Sequence, residues 1–238
     1  MGRGGRSCPS AASAVPFTDP SPDPGVRHSF TVRATFAGGP GPASTPSLES
    51  PSPAGFSDVP AASWYAQGVG WTTACGGLSG SAGGLFKPTK AATRAQAALA
   101  LWTVAGRPAA SGDGAVDSDV PETARYAPAV DWLDDAGIDT GFADGTFRPR
   151  DPINRARLAV WLHRASGLLA GSPASTYPDV PDTAWYSGAA DWWQAQGLGA
   201  PVSGSSFKPK ASVKRNQLAG WLWNLARTPA AWGAGYPY

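Results

Sequence analysis

Charge is scarce in this chain. Only 15% of its 238 residues are Asp, Glu, Lys or Arg, and 19 basic against 17 acidic side chains leave a formal charge of +2. That balance gives no global field, and no Lys/Arg cluster of the kind that tracks phosphates is present, which argues against a nucleic-acid partner. There are two cysteines, Cys8 and Cys75, and two histidines, His28 and His163. They show no metal-ligand spacing, so neither a metal site nor a cofactor is expected. No apolar stretch approaches the roughly 20 residues that span a bilayer, which excludes a transmembrane helix. Basic Arg3 and Arg6 are not followed by an apolar core of the kind a secretory leader carries.

Turn formers and indole rings are plentiful: 30 Gly, 24 Pro and 11 Trp. Large amphipathic rings serve both small cores and sugar-contacting surfaces, and composition does not separate the two. Residues 1–54, rich in Pro, Gly, Ser and Ala, read as a disordered low-complexity linker or the remnant of an upstream domain. Within them Val26, His28, Phe30, Val32, Ala34 and Phe36 alternate with mostly polar neighbours, as in a half-buried strand.

From Phe56 onward the sequence repeats. Asp58, Asp119 and Asp179 each open an Asp-Val-Pro triplet, 61 and 60 residues apart, and Tyr65, Tyr126 and Tyr186 keep the same offsets. So do Trp71, Trp132 and Trp192. Fifteen residues after each Trp come Phe86-Lys87-Pro88, Phe147-Arg148-Pro149 and Phe207-Lys208-Pro209, and an arginine follows each Phe by eight: Arg94, Arg155 and Arg215. Constant gaps in three copies mark a structural repeat.

Within a copy the period is helical. Tyr126, Ala129, Val130 and Leu133 fall at i, i+3, i+4 and i+7, and Leu158, Trp161, Leu162 and Ala165 repeat that spacing. Asp119 before Val-Pro suggests an entry turn or the N-cap of the first helix, Gly137 its left-handed end, and Asn154 the N-cap of the second. One such pair has too little core to fold alone, so the copies are expected to bury one another's apolar faces. The fold class is mainly α: three helix-loop-helix repeats (residues 55–112, 113–174 and 175–238) in a pseudo-threefold arrangement around a helical bundle.

These motifs resemble the S-layer homology (SLH) family, whose unit runs from an aromatic-x-Asp-Val opening through a Gly-x-Phe-x-Pro loop to a Thr-Arg-Ala-Glu helix start. The first copy supplies Phe56-Ser57-Asp58-Val59 and Thr93-Arg94-Ala95-Gln96; the second supplies Gly145-Thr146-Phe147-Arg148-Pro149. The glutamate is replaced by Gln96, Arg157 and Gln217; Asp117 stands in place of the opening aromatic residue and Arg125 in place of Trp64 and Trp185. The resemblance implies a non-covalent anchor at the bacterial cell surface that binds an anionic, often pyruvylated, secondary cell-wall polysaccharide. The alternative is a structural surface-layer protein that self-associates without binding a glycan.

Nine residues are candidates for the glycan site. Arg94, Arg155 and Arg215 stand at helix starts, where free N–H groups and the dipole favour an anion and an Arg fork suits a carboxylate. They equally suit pairing with a carboxylate of their own copy. Asp58, Asp119 and Asp179 read more strongly as capping residues, whose loss costs on the order of 1 kcal/mol. Trp71, Trp132 and Trp192, on the flank of the first helix, suit a groove wall or the core, whereas Trp161 and Trp221 read as core. No catalytic site is expected: His163 has no partner motif, and carboxylates repeated identically in three copies resemble scaffold more than an acid/base pair.

Overall fold

A computed structural model describes residues 35–36, 39–40, 55–110, 117–167, 174, 176–198 and 206–226. Cys8, His28 and most of the alternating stretch lie outside the described residues. Its last two residues form β1 (Thr35–Phe36), which pairs antiparallel with β2 (Gly39–Pro40). The rest of the described chain is mainly helical: α1 (Ala66–Ala74) and α2 (Arg94–Val104) in the first unit, α3 (Ala127–Asp135) and α4 (Arg155–Ala165) in the second, α5 (Ser187–Ala195) and α6 (Arg215–Ala226) in the third.

Each first helix ends as its glycine dictates. Gly76, Gly137 and Gly197 take φ of 80°, 64° and 66°. In α3 the Gly137 N–H reaches Asp134 O at 2.8 Å and the Ile138 N–H reaches Leu133 O at 2.8 Å, a Schellman ending that α1 and α5 share. The second helices start on side-chain caps where the residue permits. Asn154 accepts from the Arg157 N–H at 2.8 Å, and Thr93 with Gln96 forms a full capping box. Lys214 offers no cap, but its N–H is taken by Gln217 Oε1 at 2.9 Å.

The helices pair between units. α2 packs on α3, α4 on α5, and α6 returns to α1, so each unit's second helix covers the first helix of the next and the third unit closes on the first. Around the pseudo-threefold axis a triangle of main-chain bonds ties the segments that precede the second helices. Ala92 N–H donates to Val213 O (2.8 Å), Val213 N–H to Ile153 O (2.9 Å) and Ile153 N–H to Ala92 O (3.0 Å). One continuous core results. Leu101, Leu133, Phe147, Leu158, Trp161, Trp193 and Leu222 have no solvent exposure, and Trp221 has 1%. Burying each such side chain contributes about 1.5–3 kcal/mol.

Cyclic covering corrects one expectation about the tryptophans. Trp71, Trp132 and Trp192 are 8%, 5% and 1% exposed, so they are core side chains with no face open as a groove wall. Amphipathy within one unit puts them on a flank, but the neighbouring unit's second helix covers that flank too. Of the two readings of Asp119, the N-cap is corrected: Asp119 lies in a turn ahead of α3, whose N-cap position is Tyr126, with no side-chain cap bond.

Candidate functional site

The three Phe-Lys/Arg-Pro turns are built around a conformation L residues avoid. Lys87, Arg148 and Lys208 sit at φ of 58°, 57° and 56°, a left-handed geometry that costs a non-glycine residue about 1–2 kcal/mol. The repeated aspartates supply the compensation. Asp119 accepts the Phe147 N–H at 2.7 Å with one carboxylate oxygen and the Arg148 N–H at 2.8 Å with the other. Asp58 and Asp179 hold the equivalent pairs, all at 2.7 Å. Successive N–H groups converging on an anion in this way form a nest. For Asp58 partial burial pushes the carboxyl upward, but the two N–H donors and the charge of Arg215 outweigh it and hold its pKa below the ordinary value.

With the turn fixed, the Phe side chain enters the core and its carbonyl faces the preceding unit. Arg94 Nε donates to Phe147 O at 2.6 Å, Arg155 Nε to Phe207 O at 2.5 Å and Arg215 Nε to Phe86 O at 2.9 Å. The arginines are therefore keystones between units, 3%, 2% and 4% exposed. None pairs with the carboxylate of its own copy, which corrects that expectation. The free helix-start N–H groups expected to attract an anion are also taken. Arg94 and Ala95 donate to Asp151 O and Pro149 O, Arg155 and Ala156 to Ala211 O and Pro209 O, and Arg215 and Asn216 to Lys90 O and Pro88 O, all at 2.9–3.0 Å.

The three interfaces differ at the far end of the guanidinium. Between the first two units, Arg94 Nη2 pairs at 2.7 Å with Asp139, a carboxylate that also takes Arg157 Nη1 at 2.7 Å. Between the third unit and the first, Arg215 Nη2 donates to Ser79 O at 2.6 Å. Between the second and third, Arg155 Nη1 has no hydrogen-bond partner among the described residues. Burial lowers the pKa of all three guanidinium groups; Asp139 opposes the shift at Arg94, Tyr177 and Asp179 at Arg155, and Asp58 at Arg215. Aromatic faces complete each cage: the Arg155 guanidinium lies 5.0–5.6 Å from the ring centroids of Trp193, Phe207 and Trp221.

The open aromatic surface is elsewhere. Trp64 and Trp185 are 44% and 62% exposed, at the repeat position that the second unit fills with Arg125. Trp64 lies against Gly220 of α6, where a Cβ would stand 2.2 Å from the ring. Trp185 lies 5.4 Å from the Arg157 guanidinium of α4. Arg125 instead crosses to the first unit and donates to Ser79 Oγ and Gly76 O. The signal for these residues was present in the sequence as the substitution of Trp by Arg at one repeat position, but exposure is a tertiary property. A cleft of about 400 Å³ also opens on the second unit, lined by Asp119, Pro121, Tyr126, Arg148, Pro149, Arg150 and Asp151.

The Phe-x-Pro turns and arginine helix starts of the first two units fall within stretches that match one family of repeats. The S-layer homology domain model matches residues 55–98 and 117–156. Among curated proteins the chain is 27% identical over 176 residues to an S-layer protein of Bacillus thuringiensis subsp. finitimus, covering 70% of this chain and 21% of that one. It is 28% identical over 145 residues to the cellulosome-anchoring protein of Acetivibrio thermocellus, covering 58% of this chain and 32% of that protein. An endoglucanase of a Bacillus species matches at 29% over 102 residues, 43% of this chain and 11% of the enzyme. The chain thus spans about a fifth to a third of the length of the first two relatives. Among the described residues, no helix is long and apolar enough to cross a membrane and no cluster of His, Cys, Asp or Glu could hold a metal ion.

Proposed function

We propose that the three units, the third being an S-layer homology repeat like the first two, anchor their polypeptide non-covalently to an anionic, pyruvylated polysaccharide of the cell wall, with no catalytic step. The similarity to an S-layer protein and to a cellulosome-anchoring protein supports this reading at the level of the module. At the level of residues, one observation carries it: an exposed tryptophan stands at two of the three inter-unit junctions, Trp64 against Gly220 and Trp185 with the Arg157 guanidinium 5.4 Å away. A sugar ring stacks on such an indole, and a guanidinium answers its carboxylate.

The three junctions are unequal in this proposal. At the first, Asp139 already gives Arg94 and Arg157 the carboxylate that a pyruvylated sugar would bring, so that junction is closed to it. At the second, Trp185 is the open ring, the partly exposed Arg157 guanidinium lies 5.4 Å from it and Arg155 keeps an unpartnered nitrogen buried behind the junction, which makes this the favoured site; Trp64 marks the next. Of the nine candidate residues Arg155 and Arg215 alone keep a direct role. Asp58, Asp119 and Asp179 shape the turns, and Trp71, Trp132 and Trp192 support the helices from within.

Retention on purified cell walls tests the proposal. Because the arginines tie the units together, the informative variant is Trp64→Ala with Trp185→Ala, at exposed positions that leave the fold intact. The double variant should wash off walls that retain the parent chain while its circular dichroism stays unchanged, and the lost packing of Trp64 on Gly220 should lower its melting temperature without unfolding it at the assay temperature. Equal retention would remove the junction mouths as the binding site.

A further inference from the structure

The three segments that carry the turns, residues 86–93, 147–154 and 207–214, hold two, two and three basic residues and a single acidic one, Asp151. They are distant in sequence, but the main-chain triangle and the antiparallel bridges Ala91–Lys214, Thr93–Pro152 and Asn154–Ser212 draw them onto one end of the molecule. Lys87, Lys90, Arg150, Lys208, Lys210 and Lys214 are all exposed there, and among the described residues none of them is held in an ion pair. The seventh, Arg148, pairs at 2.8 Å with the exposed Asp144. A chain with a formal charge of only +2 has therefore gathered much of its positive charge on one face. Other acids of the described residues, such as Glu122, Asp131, Asp134, Asp135, Asp182 and Asp191, belong to the first helices and the turns leading into them.

Nearby groups reinforce this separation. Asp58, Asp119 and Asp179 lie beside the basic residues, but each carboxylate is occupied by two backbone N–H groups. At the edge of this face lies the 400 Å³ cleft, where the Tyr126 ring stands with Arg148, Arg150 and the ring of Pro149. Asp119 and Asp151 also line it, and a ring face bordered by both guanidinium and carboxylate groups suits a hydroxyl-rich sugar unit bearing an acidic group better than a bare ion.

The geometry points to a second binding surface, distinct from the junction mouths: the axial end of the ring docks a polyanionic polymer bearing phosphate or carboxylate groups, one unit of which sits in the Tyr126–Arg150 cleft. A linear polymer with regularly spaced charges can meet the basic residues of all three units at once. Contacts weak singly become tight together, and their number sets a steep dependence on salt. The surface stands whether or not the junction mouths hold a sugar.

The test uses the full chain with three defined probes: inorganic polyphosphate, polygalacturonate and neutral dextran. The parent chain should bind at least one of the polyanions, with affinity falling steeply as salt rises, and should not bind dextran. The six substitutions Lys87→Gln, Lys90→Gln, Arg150→Gln, Lys208→Gln, Lys210→Gln and Lys214→Gln should lower that affinity at least about tenfold at low salt and flatten its salt dependence. If the six-site protein folds poorly, Lys90→Gln, Arg150→Gln and Lys210→Gln alone, at positions of ordinary backbone, should give a smaller loss in the same direction. Trp64→Ala with Trp185→Ala should leave the binding of polyphosphate, which has no sugar ring to stack on an indole, unchanged, and this separates the surface from the junction mouths. Unchanged affinity and salt slope in the charge variants, or equal binding of dextran, would overturn the inference. Failure of the tryptophan variant to lose cell walls would overturn only the junction reading.

Discussion

At the residue scale the aspartates and arginines act as a relay across each junction. Asp119 fixes the left-handed Arg148, which aims the Phe147 carbonyl at Arg94 of the preceding unit. Asp119→Ala therefore removes two charge-assisted hydrogen bonds, and a loss of about 2–4 kcal/mol is expected, more than a single helix cap would give. Urea denaturation measures it, and faster amide exchange at Phe147 and Arg148 would localise it. Arg94→Met leaves Asp139 buried with Arg157 as its one remaining cation and should cost about 3–5 kcal/mol; adding Asp139→Leu should recover a large part of that, as for other buried pairs replaced by apolar residues. The residues of this relay were legible in the sequence, because only a structural need keeps Asp, Phe and Arg in register three times. Their partners were not: an Asp before Val-Pro looks like a helix cap locally, and nothing in one unit reveals that its arginine bonds to the next.

At the element scale the closest approach is between α1 and α6. A Cβ on Gly68 would stand 2.5 Å from Ala219 O, so this glycine sets how near the first and third units come. Gly68→Ala should destabilise by about 1–3 kcal/mol through overpacking, despite the better helix propensity of alanine; the shift in melting temperature measures it. The turns add a pH dependence. The carboxyl of Asp58 titrates below its ordinary value, and Asp144, accepting from Thr146 and Arg148, titrates at about 2. Depressed carboxyl pKa values contribute stability above the unfolded-state value near 4 that is lost as pH falls through the folded-state values. The urea midpoint should accordingly drop between about pH 4 and pH 2, and Asp58→Asn should make that drop shallower. Helix existence, the Gly137 ending and the Asn154 cap could all be read from the sequence, since they depend on neighbours within a few residues. The burial of Trp132 could not, because α2 of another unit supplies the covering surface.

At the scale of the whole molecule the three units form a closed ring in which no helix pair is self-contained. Removing the third unit uncovers α1 and α4 together and breaks the main-chain triangle, so a fragment ending at residue 167 should fail to unfold cooperatively, as followed by calorimetry. A threefold closure was legible from the count of copies and the small core of each; the direction of the interlock, second helix onto the next unit's first, was not. The most direct measurement of that interlock is a disulfide between Ala91→Cys and Lys214→Cys in the full chain, with Cys8 and Cys75 changed to alanine. These two positions face each other as a non-hydrogen-bonded antiparallel pair, where Cα atoms stand about 4.5 Å apart, within disulfide reach. Mild oxidation should give an intrachain bond between the first and third units, seen as a single linked peptide pair by mass spectrometry. Free thiols in the folded monomer after oxidation, or links formed only between chains, would contradict the ring.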